Sequence, residues 1–79
     1  MDKELAKLLV NAAYRSQREL ADIAPLIKEH CSTEEDGVLS LAIGSAIYEA
    51  NLITERIFEL LPELRDEFEA RLNKFGRFC

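Results

Sequence analysis

Glycine and proline are scarce in this chain, three and two among 79 residues. A fold of many short strands and turns needs more of both, so the shortage points to a few long helices. Cysteine is equally sparse: Cys31 and Cys79 make no disulfide framework. Positive charge is in the minority, ten Lys and Arg against fifteen Asp and Glu, for a net charge of -5. That balance offers phosphate no general attraction, and nucleic acid is not expected as a partner. Long uncharged runs are missing too. The longest, Gly37 to Tyr48, is too short to span a bilayer core of about 30 Å. The first residues, Met1-Asp2-Lys3-Glu4, are charged where a secretory signal has an apolar core. A cytoplasmic protein without a membrane segment is the expectation.

What is present is helical patterning. Hydrophobic residues make up 48% and charged residues 32%, which is globular rather than disordered. Asp2 suits an N-cap, and Leu5, Leu9, Ala12, Ser16, Leu20, Ile23 and Ile27 then recur at steps of four and three. This predicts a first amphipathic helix over about 3–29, with a kink or a restart at Pro25. The stretch His30 to Gly37 is the strongest punctuation. Ser32 with Glu35, or Thr33 with Asp36, forms a capping-box pattern, and Glu34, Glu35 and Asp36 suit the positive end of a helix.

The second helix is expected over about 34–61. Leu39, Ile43, Ala46, Ala50, Ile53, Ile57, Leu60 and Leu64 form a continuous heptad seam, with Ile47, Thr54, Phe58 and Leu61 in a second row beside it. A third helix is expected over 62–75, starting at Pro62 and capped by Gly76, with a tail at 76–79. Leu60-Leu61-Pro62-Glu63-Leu64 holds no Gly, Asn or Ser to reverse the chain. The third helix is therefore expected to run outward and carry Leu64, Phe68, Leu72, Phe75 and Phe78 as an interaction face.

These features predict one all-α domain over 1–79: an antiparallel helical hairpin with a C-terminal helix, assembled as a homodimeric bundle. A three-helix monomer is the alternative if the chain turns back at Pro62. At this size a single core is marginal, and oligomerisation is one remedy. No cofactor, metal or catalytic role is expected. His30 stands alone beside Cys31 without an orienting group, and no Glu-x-x-His, Cys-x-x-Cys or phosphate-loop pattern is present. The function expected is non-enzymatic: a protein-interaction or regulatory adaptor module with an unidentified protein partner. A small-ligand module with a pocket near Gly44, Ala46 and Tyr48 is the alternative. Asn51, Ser16 and Thr54 are the polar residues nearest the apolar seams.

Overall fold

The computed structural model describes residues 1–76; Arg77, Phe78 and Cys79 lie outside the described residues. The described residues are all-helical, in the order α1 (Lys3–His30), α2 (Thr33–Leu60) and α3 (Pro62–Phe75). Each long helix has 28 residues, about 42 Å at 1.5 Å per residue.

Both long helices start at caps legible in the sequence. The Glu4 amide donates to Asp2 Oδ1 at 3.1 Å. At α2 the Ser32 amide donates to Glu35 Oε1 at 2.8 Å, and the Glu35 amide donates to Ser32 Oγ at 3.1 Å. This reciprocal box satisfies two donors that helix geometry leaves free. It also draws the Glu35 carboxyl below its ordinary value, chiefly through the Ser32 amide and secondarily through its hydroxyl. Of the two boxes the spacing allowed, the chain uses Ser32 with Glu35.

Pro25 does not interrupt α1, which runs unbroken to His30. The proline removes one donor, the partner of the Ala21 carbonyl, and both residues are exposed. Water can take the place of that single bond.

At the other end the expected outward run is replaced by a reversal. Leu61 leaves the helical region, with φ -134° and ψ 78°, as the residue before a proline tends to do. Its amide donates to the Ile57 carbonyl at 2.8 Å, and its carbonyl accepts from Leu64 at 3.0 Å. One residue thus closes α2 and opens α3. Pro62 needs no amide hydrogen at the first helical position. The turn required no Gly, Asn or Ser because steric exclusion ahead of Pro62 does their work.

The reversal brings α3 back against both long helices. Leu64 is 1% exposed and clusters with Ala6, Val10, Ile57 and Phe58, with Leu61 and Phe68 packed beside them. Phe68 meets Tyr14 edge-on at 5.5 Å between ring centres and lies 5.7 Å from Phe58. Leu64 therefore belongs to the core and not to an exposed face.

The core ends there. From Tyr14 to Ile53 no residue is fully buried, although the two helices stay together, with Gln17 donating to the Ile47 carbonyl at 3.1 Å. The molecule measures 44 × 24 × 14 Å, with a radius of gyration of 14.9 Å. A compact chain of this length has about 12 Å.

Leu64→Ala should cost about 2–5 kcal/mol in urea unfolding, since it empties a fully buried site at which all three helices meet. Ser32→Ala should cost about 1 kcal/mol. A Thr33→Ala loss as large as that of Ser32→Ala would contradict the cap assignment.

Candidate functional site

The residues singled out for chemistry do not converge. His30 is exposed, and its Nε2 lies 3.9 Å from Glu29 Oε2. Cys31 is a partly covered free thiol at the end of α1, its amide donating to Ile27 at 2.9 Å. The side chains of Glu34, Glu35 and Asp36 serve the first turn of α2; Asp36 Oδ1 also accepts from the Ser40 hydroxyl at 2.8 Å. Among the described residues no cluster of His, Cys, Asp and Glu could hold a metal ion.

The proposed C-terminal face is divided by the fold. Leu64 is core, Phe68 and Leu72 are half-buried, and Phe75 is 65% exposed. Phe78 lies outside the described residues. Phe75 is left at the tip of α3 with Lys74 Nζ 5.2 Å from its ring centre.

Helix α3 is pinned by charge as well as by Leu64. Glu67 receives Lys3 Nζ at 2.9 Å and Lys7 Nζ at 3.6 Å from α1, and Glu55 of α2 receives Arg65 at 3.1 Å. The hydrogen bond from Lys3 holds the Glu67 carboxyl below its ordinary value, against a smaller opposing effect of burial, with the Lys3 and Lys7 charges adding to it. Lys3 is raised in turn, first by that hydrogen bond and then by the Glu67 charge.

Between α3 and the long helices lies a cavity of about 370 Å³, walled by Tyr14, Phe58 and Phe68 with Gln17, Asn51 and Thr54 among its polar residues. Thr54 is 8% exposed, and its hydroxyl has no hydrogen-bond partner. Asn51 is exposed rather than seated in a seam. By contrast, the region around Gly44 and Tyr48 is a shallow, open depression on the outer surface of α2 alone. Nothing lies within 4 Å of a side-chain carbon built on Gly44, so that glycine permits no close contact within the chain.

The apolar seams read from the sequence only partly meet the interhelical contact: Ile57 is buried and Leu20, Ile27, Ile43 and Ala50 are half-buried, while the rest lies to one side. At 100° per residue, the α1 face that meets α2, through Ala6, Val10, Ala13 and Gln17, is turned by roughly 90° from the Leu5–Ile27 stripe. The corresponding turn on α2 is roughly 60°. Both turns move the stripes to the same side, away from α3. Leu5, Leu9 and Ile23 of α1 and Leu39, Ile53 and Leu60 of α2 are consequently exposed. Ala12, Ser16, Ala42 and Ala46 lie between them and are exposed as well. The result is a bare, mainly apolar flank, bordered on its outer margins by Glu19 and Glu49 and opposite the flank that α3 covers. Ser16 adds no polar demand, because its hydroxyl donates to the Ala12 carbonyl at 2.9 Å.

Helix α2 is apolar beyond this flank, with Leu41 75% and Tyr48 61% exposed on its outer side. Its best 18-residue window has mean hydropathy 1.3, with 11% of that window buried. It is long and apolar enough to cross a membrane by length and composition alone, because a single charge, Glu49, does not lower the average as it breaks the run. Comparison with protein-family models, curated proteins and solved structures finds no match.

Two outcomes follow from this geometry. Thr54→Val should raise the unfolding free energy by about 1 kcal/mol, since it removes a buried hydroxyl without a partner; a loss would mean that the hydroxyl is engaged. Glu67→Gln should destabilise the protein at neutral pH. Glu67 has a folded pKa below its ordinary 4.5, so its stabilisation is present above 4.5 and lost as pH falls through the folded value. Urea unfolding of the two proteins should converge in acid, and a gap that persists there would place the loss in packing rather than charge.

Proposed function

We propose that this chain is a non-enzymatic interaction module: an antiparallel helical hairpin with a returning third helix, acting as a homodimeric helical bundle and presenting helical surface to protein partners. The observation that carries this reading is the long segment from Tyr14 to Ile53 in which no residue is fully buried, although it contains most of α2. A helix apolar on several sides belongs in the interior of an assembly. The single chain exposes 5670 Å², against about 4,850 Å² for an average folded monomer of its mass. The excess is close to the ~800 Å² that each partner gives to a standard interface.

Aqueous assembly is a better destination for α2 than a bilayer. Helix α1 packs along it and carries Arg15, Arg18, Glu19, Asp22, Lys28 and Glu29 through the same height, and such charges do not follow a neighbour into hydrocarbon. A cytoplasmic location fits this.

A second reading, binding of a small aromatic ligand, is favoured by the cavity at Tyr14, Phe58 and Phe68 with its unpartnered Thr54 hydroxyl. Its volume lies at the lower end of the range for small-molecule sites. Titration with phenol, followed by NMR, would shift Tyr14, Thr54 and Phe68 together under this reading and leave them unmoved otherwise.

Light scattering coupled to size exclusion, in reducing buffer across a wide concentration range, tests the main proposal. The expected mass is twice 9.0 kDa, with a melting temperature that rises with protein concentration. A mass of 9.0 kDa throughout, with a concentration-independent melt, would overturn the homodimer.

A further inference from the structure

We infer that the occupant of the bare flank is the same flank of a second copy, so that two α1–α2 layers stack face to face with each α3 on the outside. This rests on the homodimer reading and fixes the face it uses, which is not the Phe68–Phe75 side of α3.

The area matches. Two 28-residue helices, about 42 Å long with axes 8–10 Å apart, present a side of about 800 Å² in projection. That is one partner's share of a standard interface. The chemistry also allows self-pairing. A two-fold interface places one patch against itself, and any charge within it near the axis would meet its own copy. The charges on this flank keep off its centre line: Glu19 and Glu49 lie at its two outer margins and Glu35, at the loop end, is held in the α2 cap. Its one hydroxyl, on Ser16, is satisfied within α1.

The relief matches as well. The Gln17–Ile47 hydrogen bond sets the midpoints of α1 and α2 at one height. Ser16 and Ala46 therefore share the middle of the flank. Leu9 and Ile53 lie toward one end, and Ile23 and Leu39 toward the other. Either two-fold axis in the plane of the flank, along the helices or across them, then stacks small residues on small at the centre and large on large at the ends. The backbones can approach closely at mid-height while the branched side chains interdigitate above and below.

The test uses the full chain with paired substitutions. Leu9→Glu with Ile53→Glu places charges in the flank at positions already exposed in the single chain. Leu41→Glu on the outer side of α2 and Phe75→Ser at the tip of α3 serve as comparisons. Wild type should sediment as a dimer. The flank variant should be monomeric with its helical circular dichroism retained, its dissociation constant raised by at least about a hundredfold. Leu41→Glu and Phe75→Ser should remain dimeric.

A flank variant that dimerises like wild type would overturn the assignment of this face while leaving the homodimer standing. So would loss of the dimer in Leu41→Glu or Phe75→Ser alone. A monomeric wild type would remove both readings, and its flotation with phosphatidylcholine vesicles would identify lipid as the occupant instead. If the flank variant loses helicity, cysteines at mid-flank supply the independent readout, with Cys31→Ser and Cys79→Ser in the background. Oxidation should link two copies through Ser16→Cys alone if the axis runs across the helices, or Ser16→Cys to Ala46→Cys in a mixture of the two variants if it runs along them, while Tyr48→Cys links under neither. Failure of both flank pairings to cross-link a dimeric protein would overturn the assignment.

Discussion

Leu64 is the contact on which the rest of this structure depends. Its side chain enters between Ala6 and Val10 on one helix and Ile57 and Phe58 on the other, so a single buried leucine ties α3 to both long helices. Once it is seated, Phe68 is carried into an aromatic group with Tyr14 and Phe58, and Glu67 comes within reach of Lys3 and Lys7. The placement is one-sided. Covering one flank with α3 leaves the opposite flank of the α1–α2 layer without a neighbour, and no other element among the described residues is left to cover it.

The arrangement also separates the molecule into two energetic regimes. The end bearing Leu64 has a small dry core, ring contacts and ion pairs that tie all three helices. The remainder is two helices in partial contact, with the Gln17–Ile47 hydrogen bond joining them near mid-height. Such a half is poorly supported on its own, since stability in small domains comes from buried apolar area. In the proposed dimer its apolar surface is half of an interface. The exposed ion pair between Arg56 and Glu59 and the pairing of Arg65 with Glu55 offset the repulsion that Glu55 and Glu59 would otherwise have at four residues' spacing.

Chemistry is thin throughout. His30 and Cys31 are where a helix ends, and the acidic run at 34–36 is where the next one begins. Each is accounted for by backbone termination. Two groups among the described residues that no local structure explains are Asn11 Oδ1 and the Thr54 hydroxyl, both buried and unpaired, the second beside a cavity. Thr54 was marked in the sequence, with Ser16 and Asn51, as a polar residue beside the apolar seams; Asn11 carried no such mark.

The sequence by itself determined the three helices, their caps and the interruption at Pro62. These depend on interactions within a few residues: Asp2 with Glu4, Ser32 with Glu35, Gly76 accepting a left-handed backbone at φ 72°. Even the seams were legible as continuous apolar stripes. Which side of each helix would be used was not, because the stripes are wide enough to satisfy two neighbours and periodicity does not rank them. Only the tertiary structure decided that Ala6, Val10 and Ala13 face α2 while Leu5, Leu9 and Ile23 do not, since small residues let the two backbones come close. It also decided the direction of the chain after Leu61. Pre-proline sterics permitted the reversal, and burial of Leu64 against residues more than fifty positions earlier selected it. A contact of that range leaves no local mark, and so the face assigned from sequence to an outside partner became partly core.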